Sequence, residues 1–469
     1  MKKTKIYLST FMAVSLFFMS CKSDDDVTVD PNGGDDPTED PTDDPTTSFV
    51  GGVYAMTNGD GQVAGNVQGA NVIIAYGRNE DGSLTPIGPN PTGGNGGDFD
   101  GGEGLDPLIS AYALTKTDDN ENLLAVNAGS NTITSFNIAD DFSLERAGDP
   151  VPTGAIGPNS IATTGQITVD GTKGLVYVSN ITRPEFLAGG EPEHQGTITG
   201  YWLLNDGSLQ PIAGSTRDLN NRPSAVQFSP DGNWLVVTSI NSGAVALASG
   251  SEDEVVVYSV GADGTLSATA LGAATSTLRG NTQDRNLPSA IGFQVVGENY
   301  VVVTEAREFQ PDGTPPAFPA LQDGSVSTWQ IQADGSLTAI SLDERSGTGN
   351  TGRTACWLDF TADGNTFFVS NAIEAGLASY SFNNGIVKLI DQSAAQGTGT
   401  GDTNVGSEAF ANTDGWIDMW ISEDGQFLYQ LYGLDGTIGI YRVNGQSLEF
   451  IGEESGNLPD TNTQGIVAI

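Results

Sequence analysis

Arg222 to Ser239, RPSAVQFSPDGNWLVVTS, decides the fold. Ala225 to Phe228 and Leu235 to Thr238 are short apolar runs of strand-forming residues, and Asp231-Gly232 between them is a strong hairpin signal. The unit recurs as PSAIGFQVVGENYVVVTE around Phe293, ACWLDFTADGNTFFVSN around Phe360, WIDMWISEDGQFLYQL around Trp420 and ITVDGTKGLVYVSN around Tyr177. A fainter copy, ISAYALTKTDDNENLLAVN, begins at Ile109. A second hairpin motif follows the copies: RNEDGSLTPIG, IADDFSLERAG, LNDGSLQPIAG, GADGTLSATALG, QADGSLTAISL, FNNGIVKLI and VNGQSLEFIG. Two hairpins per unit make four strands. Seven such units of roughly 60 residues predict an all-β, seven-bladed β-propeller.

The first unit, Val53 to Gly94, has no innermost strand ahead of it. The chain ends in LPDTNTQGIVAI, and Leu458-Pro459 mirrors the Leu287-Pro288 that precedes an innermost strand. Gly465 to Ile469 is therefore expected to supply the missing strand and close the ring, which removes exposed edges. The other blades are expected at 106–153, 157–215, 222–275, 287–343, 352–395 and 407–452.

Sixty-two glycines among 469 residues suit a protein of many tight turns. The net charge of −41 argues against nucleic acid and anionic membrane faces as partners, and it suits solubility outside the cell. Two cysteines allow no disulfide framework; Cys356 lies in an inner-strand pattern and reads as a small apolar filler.

Met1 to Ser20 reads as a targeting segment, with Lys2, Lys3 and Lys5 ahead of an apolar run, Ile6 to Met19, too short to span a bilayer. Ser20-Cys21 resembles a lipoprotein cleavage site, with Phe18 where leucine is usual, and makes Cys21 the lipidation site. Lys22-Ser23-Asp24-Asp25-Asp26 resembles the surface-export tag of Bacteroidetes lipoproteins, which implies a lipid-anchored outer-membrane protein facing outward. The expected organisation is a signal peptide at 1–20, a disordered acidic Asp/Pro/Thr tether at 21–47 and the propeller at 48–469.

Repeats build the scaffold, and departures from them mark candidate sites. In a propeller the loops between second and third strands, and the connections into the next innermost strand, share one face. Three consecutive blades carry enlarged second-to-third loops: Ile181 to Gly196, Ile240 to Asp253 and Ala306 to Asp323. Of the 14 basic residues beyond Lys22, eight are arginines assigned to that face: Arg183, Arg217, Arg222, Arg279, Arg285, Arg307, Arg345 and Arg353. Guanidinium presents a planar fork that matches carboxylate or phosphate, so these residues form a candidate anion site. Pairing with Asp218, Asp284, Asp343 and Glu344 is the structural alternative. Arg222, Arg285 and Arg353 lie nearest the channel.

Glu305 ends a second strand (VVVTEAR) beside Arg307 and is a candidate general base. His194, the single histidine, lies in a Gly/Pro/Glu-rich loop, where it reads as a surface residue rather than a base, and one histidine excludes a His-rich zinc site. The acidic run Gly93 to Asp106 could ligate calcium but lacks EF-hand spacing, so a solvated loop is expected. No metal and no cofactor is expected.

The units PSAVQFSPDGNWLVVTS, LVYVSN and FFVSN, the DGSL hairpins and the terminal QGIVAI resemble the lactonase-type seven-bladed propellers, which include bacterial 6-phosphogluconolactonases and fungal carboxymuconate cyclases. The resemblance covers residues 50 to 469. It implies a Pro-Arg-His motif starting one innermost strand and a glutamate after the strand that follows. At Pro223 this chain has Ser224 and Ala225, with Ile240 taken as the glutamate position. At Pro288 it has Ser289 and Ala290, and Glu305 falls at the glutamate position.

Three functions are carried forward. The first is a monomeric, lipid-anchored surface propeller that binds an anionic small molecule or glycan through Arg183, Arg222, Arg279 and Arg307. The second is a lactone hydrolase or lactonising cyclase acting on a sugar-acid lactone through Glu305, Arg285 and Arg353. The third is a structural or protein-interaction propeller.

Overall fold

The recurring Asp-Gly pairs are built by one device. In the hairpins joining first and second strands, the aspartate accepts from a hydroxyl two residues before it and from a backbone N–H two residues after it. Asp231 accepts from Ser229 Oγ (2.6 Å) and Asn233 N (3.1 Å), and Asp363 and Asp424 repeat the pattern. Asp119 does so too, with Asn120 at φ +59° where the other turns place glycine. In the hairpins joining third and outer strands, the aspartate accepts both the N–H and the hydroxyl of the residue two positions on. Asp81 does this with Ser83, Asp141 with Ser143, Asp206 with Ser208, Asp263 with Thr265 and Asp334 with Ser336. Such Asx turns mimic a backbone turn and fix strand register.

A computed structural model describes residues 48–59, 69–97, 106–182, 195–240, 255–274, 287–309, 324–347, 354–372, 376–396 and 415–469. Within them lie seven antiparallel sheets and no helix. The inner strands are Ile466–Ala468, Leu114–Lys116, Ile156–Thr164, Arg222–Phe228, Leu287–Val296, Ala355–Phe360 and Trp416–Ile421. Each packs against the next, and the last packs against the first, so the ring is closed and seven-bladed. The blades span residues 51–95 with 466–468, then 114–152, 156–218, 222–274, 287–345, 355–396 and 416–454. They are numbered one to seven in that order.

The C-terminal strand closes the ring as the sequence predicts. Val53 pairs with Ala468, Tyr54 with Val467 and Ala55 with Ile466, all buried. Blades also interlock through buried tyrosines on second strands. Tyr54 donates to Phe142 O (3.0 Å), Tyr177 to Gly264 O (2.9 Å) and Tyr429 to Gly82 O (3.0 Å), each reaching the third-to-outer turn of the next blade. The accepting residue is the left-handed one of its turn in all three cases, at φ +65°, +75° and +92°.

One expectation needs correction. ISAYALT at Ile109 reads as an inner strand, but blade two's inner strand is only Leu114–Lys116. The residues ahead of it cross the axis and fill the channel. Ser110 O accepts from Trp357 Nε1 of blade six (2.9 Å) and from Gln464 Nε2 (3.1 Å). Ser110 Oγ donates to Asn159 O of blade three (2.8 Å), and Ala111 N to Ser224 O of blade four (3.1 Å). Tyr112 donates to Phe293 O of blade five (2.6 Å) and meets Trp420 of blade seven edge-on, with ring centroids 6.4 Å apart. Ile109 (φ +48°) and Tyr112 (φ +63°) are left-handed. Each costs about 1–3 kcal/mol, offset by the contacts that hold the crossing in place.

Cys356 is buried in the inner strand of blade six, as expected of a small apolar filler. The targeting segment, Cys21 and the tether lie outside the described residues.

Removal of Gly465–Ile469 should leave Gly51–Met56 as an open edge and strip Gln464 of its support. Thermal unfolding of the truncated chain should lose its single cooperative transition, with aggregation seen by light scattering. An unchanged melt would contradict closure by this strand.

Candidate functional site

The crossing at 108–113 divides the channel into two ends. At one end lie the starts of the inner strands and the ends of the second strands, where the sequence places its candidate residues. Arg222 opens the inner strand of blade four and is buried. Glu305, fully buried, lies in the second strand of blade five opposite Ala290 and accepts Ser325 Oγ at 2.5 Å. The backbone of Arg307 continues that strand. Arg183, Arg279, Arg285, Arg353 and His194 lie outside the described residues, as does most of each enlarged loop and residues 98–105 of the acidic run. Among the described residues no group of three or more acidic, His or Cys side chains is placed to hold a metal.

Strand register shows what is unusual about Glu305. Glu305 pairs with Ser325 of the third strand, and the equivalent positions in three other blades pair in the same way: Asn127 with Thr132, Asn180 with Thr197 and Asn371 with Gly376. The asparagines are buried and bridge to the third strand through their amides, to Thr132 Oγ1 (3.1 Å), Thr197 Oγ1 (3.3 Å) and Gly376 O (3.5 Å). Glu305 makes the same bridge with a carboxyl. In blade four the equivalent is Ser239, not Ile240 as the sequence reading has it. Thr238 and Thr304 fix the alignment, since each bonds an inner-strand carbonyl of the next blade, Ile291 O (3.2 Å) and Cys356 O (2.6 Å).

Of the arginines assigned to this face, Arg217 is structural. Its guanidinium donates to Ser267 O, Gly214 O and Thr216 O, each at 2.8 Å, and to Leu266 O. It fastens blade three to the outer turn of blade four.

Two further carboxyls were not anticipated. Asp418, buried in blade seven, accepts Gly465 N (2.7 Å) and Gln464 Nε2 (3.0 Å) through one oxygen, and so ties the closing strand to its neighbour. Burial pushes its pKa up to about 7, against those two hydrogen bonds. Asp359 of blade six accepts Ile421 N (2.6 Å), Gln294 Nε2 (2.7 Å) and Phe360 N (2.9 Å). It is partly exposed but surrounded by protein, and desolvation raises its pKa to about 6. Both occur in inner strands that read as apolar, and a single acidic residue in such a strand is the one signal that could have found them.

No family model matches this chain, and no curated protein matches it. Solved structures do. A candidate 6-phosphogluconolactonase from Bacteroides uniformis aligns at 17% identity and a TM-score of 0.55, over 89% of this chain and 99% of its own. Another from Bacteroides fragilis aligns at 16% and 0.54, over 91% and 100%. The periplasmic gluconolactonase of Pseudomonas aeruginosa aligns at 16% and 0.56, over 89% and 99%. The chain therefore has the lactonase-like seven-bladed propeller fold. At these identities the likeness is one of fold.

The buried carboxyls set a pH dependence. Their folded pKa values exceed the unfolded values near 4, so the folded state holds extra protons between about 4 and 7, and stability falls as pH rises through that window. The turn aspartates Asp81, Asp141, Asp206 and Asp363, held below their usual range by hydrogen bonds, act oppositely and only at lower pH. Stability should therefore fall between pH 5 and 8 by on the order of a few kcal/mol, read as a falling melting temperature. Asp418→Asn, which keeps an acceptor for both donors, should flatten the slope. An equal slope in the variant would contradict the assignment.

Proposed function

We propose that the end of the channel holding Arg222 and Glu305 binds a sugar acid or a comparable anionic small molecule or glycan, and that the propeller is displayed on the cell surface by a lipid on Cys21. One observation supports this reading above the others. Where three sibling blades use a neutral amide to bridge second and third strands, blade five uses a buried carboxyl. An ionisable side chain buried where its structural counterparts are neutral is a candidate functional position. Arg222, also buried, stands at the same end in the adjacent blade, where a guanidinium suits a carboxylate ligand. Arg183, Arg279 and Arg307 would add to that field. The acidity of the chain elsewhere makes such a patch a local attractor for anions. The reading includes a monomer, with no nucleic-acid partner and no cofactor.

Hydrolysis of a sugar-acid lactone is the second reading. It is favoured by Glu305 and by the fold shared with the gluconolactonase. Glu305 would take a proton from water, whose oxygen adds to the lactone carbonyl. Arginine (Arg222, Arg285 or Arg353) would stabilise the oxyanion, and the ring oxygen would leave carrying a proton, giving the open hydroxy acid. A purely structural propeller, in which the carboxyl at position 305 serves the scaffold, is the third reading.

The test is Glu305→Gln in the propeller, residues 48–469, which forms one compact unit. Calorimetry with sugar acids and a pH-stat assay with their lactones should show at least tenfold loss of affinity or turnover. The melting temperature should stay within a few degrees, because sibling blades already use an amide here. Loss of stability without a change in ligand response would assign Glu305 to the scaffold. A flat pH-stat trace with intact binding would remove the hydrolytic reading alone.

A further inference from the structure

The opposite end of the channel, beyond the crossing at 108–113, holds a cavity of about 310 Å³ that opens among the turns joining first and second strands. Its wall is one register layer of the inner-strand ring. Thr115 pairs with Leu124, Ala162 with Tyr177, Gln227 with Val236, Gln294 with Val302, Asp359 with Phe368 and Trp420 with Tyr429, one position in each of blades two to seven. All but Asp359 line the cavity, and Asp359 stands directly behind Gln294.

Gln227, Gln294 and Asp359 of this layer are fixed by the next blade. Gln227 Oε1 accepts Val295 N at 2.7 Å, Gln294 Nε2 donates to Asp359 Oδ1 at 2.7 Å, and Asp359 Oδ2 accepts Ile421 N at 2.6 Å. These partners decide the amide orientations, because a backbone N–H requires an oxygen and a carboxylate requires an N–H. One end of each amide is thereby held, and the other faces the channel beside the Tyr112 hydroxyl, which interacts with both side chains. Gln227 offers its Nε2 as a donor, and Gln294 its Oε1 as an acceptor, from adjacent blades. Tyr112 forms the floor, and Trp420 adds an indole wall.

The charges exclude an anion. Lys116 at the rim is spent on Glu423 Oε1 (2.8 Å) and Asn120 Oδ1 (2.6 Å), while Asp118 and the carboxyl of Asp359 leave a negative balance. Preoriented amide donors and acceptors, an aromatic wall and a volume at the small end of ligand sites together suit a neutral polyhydroxylated ring.

We propose that this cavity is a second binding site, for a neutral monosaccharide or cyclic polyol, separate from the Glu305 end and independent of the function assigned there. The test titrates the full chain with D-glucose and myo-inositol, by calorimetry and by indole fluorescence. At least one neutral probe should bind, and neither gluconate nor choline should displace it. Gln227→Glu keeps the acceptor for Val295 N but removes the donor, and should weaken binding at least tenfold. Trp420→Phe should abolish the sugar-dependent fluorescence change, while Glu305→Gln should leave both readouts intact. Absence of binding by the neutral probes, displacement by choline, or insensitivity to both cavity variants would overturn the proposal.

Discussion

Ring closure is the constraint on which the rest depends. Three residues, Ile466–Ala468, pair with Gly51–Met56 and turn an open array of blades into a circle. The hydrogen bonds from Gly465 and Gln464 to Asp418, and from Gln464 to Ser110, add the neighbouring blade and the axial crossing to the same joint. The first and last described parts of the propeller thus meet at one buried cluster. Few contacts here are local in sequence, so the closing free energy comes only when the other blades are in place.

A ring of seven inner strands leaves a channel, and this chain fills its middle with its own backbone. The segment ahead of Leu114 bonds to blades three to six, contacts blade seven and meets the closing strand. Its left-handed residues, Ile109 and Tyr112, are held where an isolated peptide would not hold them. The two ends of the channel are consequently different rooms. One has a buried carboxyl and guanidinium; the other has amides, hydroxyls and aromatic rings.

Most of the scaffold was legible in the sequence, because its determinants are local and repeated. Asp231, Asp363 and Asp424 make the same turn from the same residues, and so do Asp81, Asp206 and Asp334. The closing strand was legible from the orphan terminal motif. The crossing was not, because ISAYA has the apolar character of an inner strand, and only long-range bonds to four blades and a ring contact with a fifth bend it away. Glu305 was visible as an outlier, but its meaning came from register, which bulges in the inner hairpins displace by one residue, as at Ser239 and Ile240. Gln227 and Gln294 were invisible as a pair. They are 67 residues apart in sequence and become neighbours only when blades four and five meet around the axis.

The measurement that bears most directly on this account is native-state hydrogen exchange at the axis. Ala111 N–H is bonded to Ser224 O, Ile161 N–H to Tyr112 O and Gly465 N–H to Asp418. If the crossing seals the channel and is locked by ring closure, these amides should exchange only through global unfolding, as slowly as those of the buried strand Leu175 to Val178. Fast exchange at Ala111 and Ile161, with the inner strands still protected, would mean that the crossing opens on its own and that the two ends of the channel are one site.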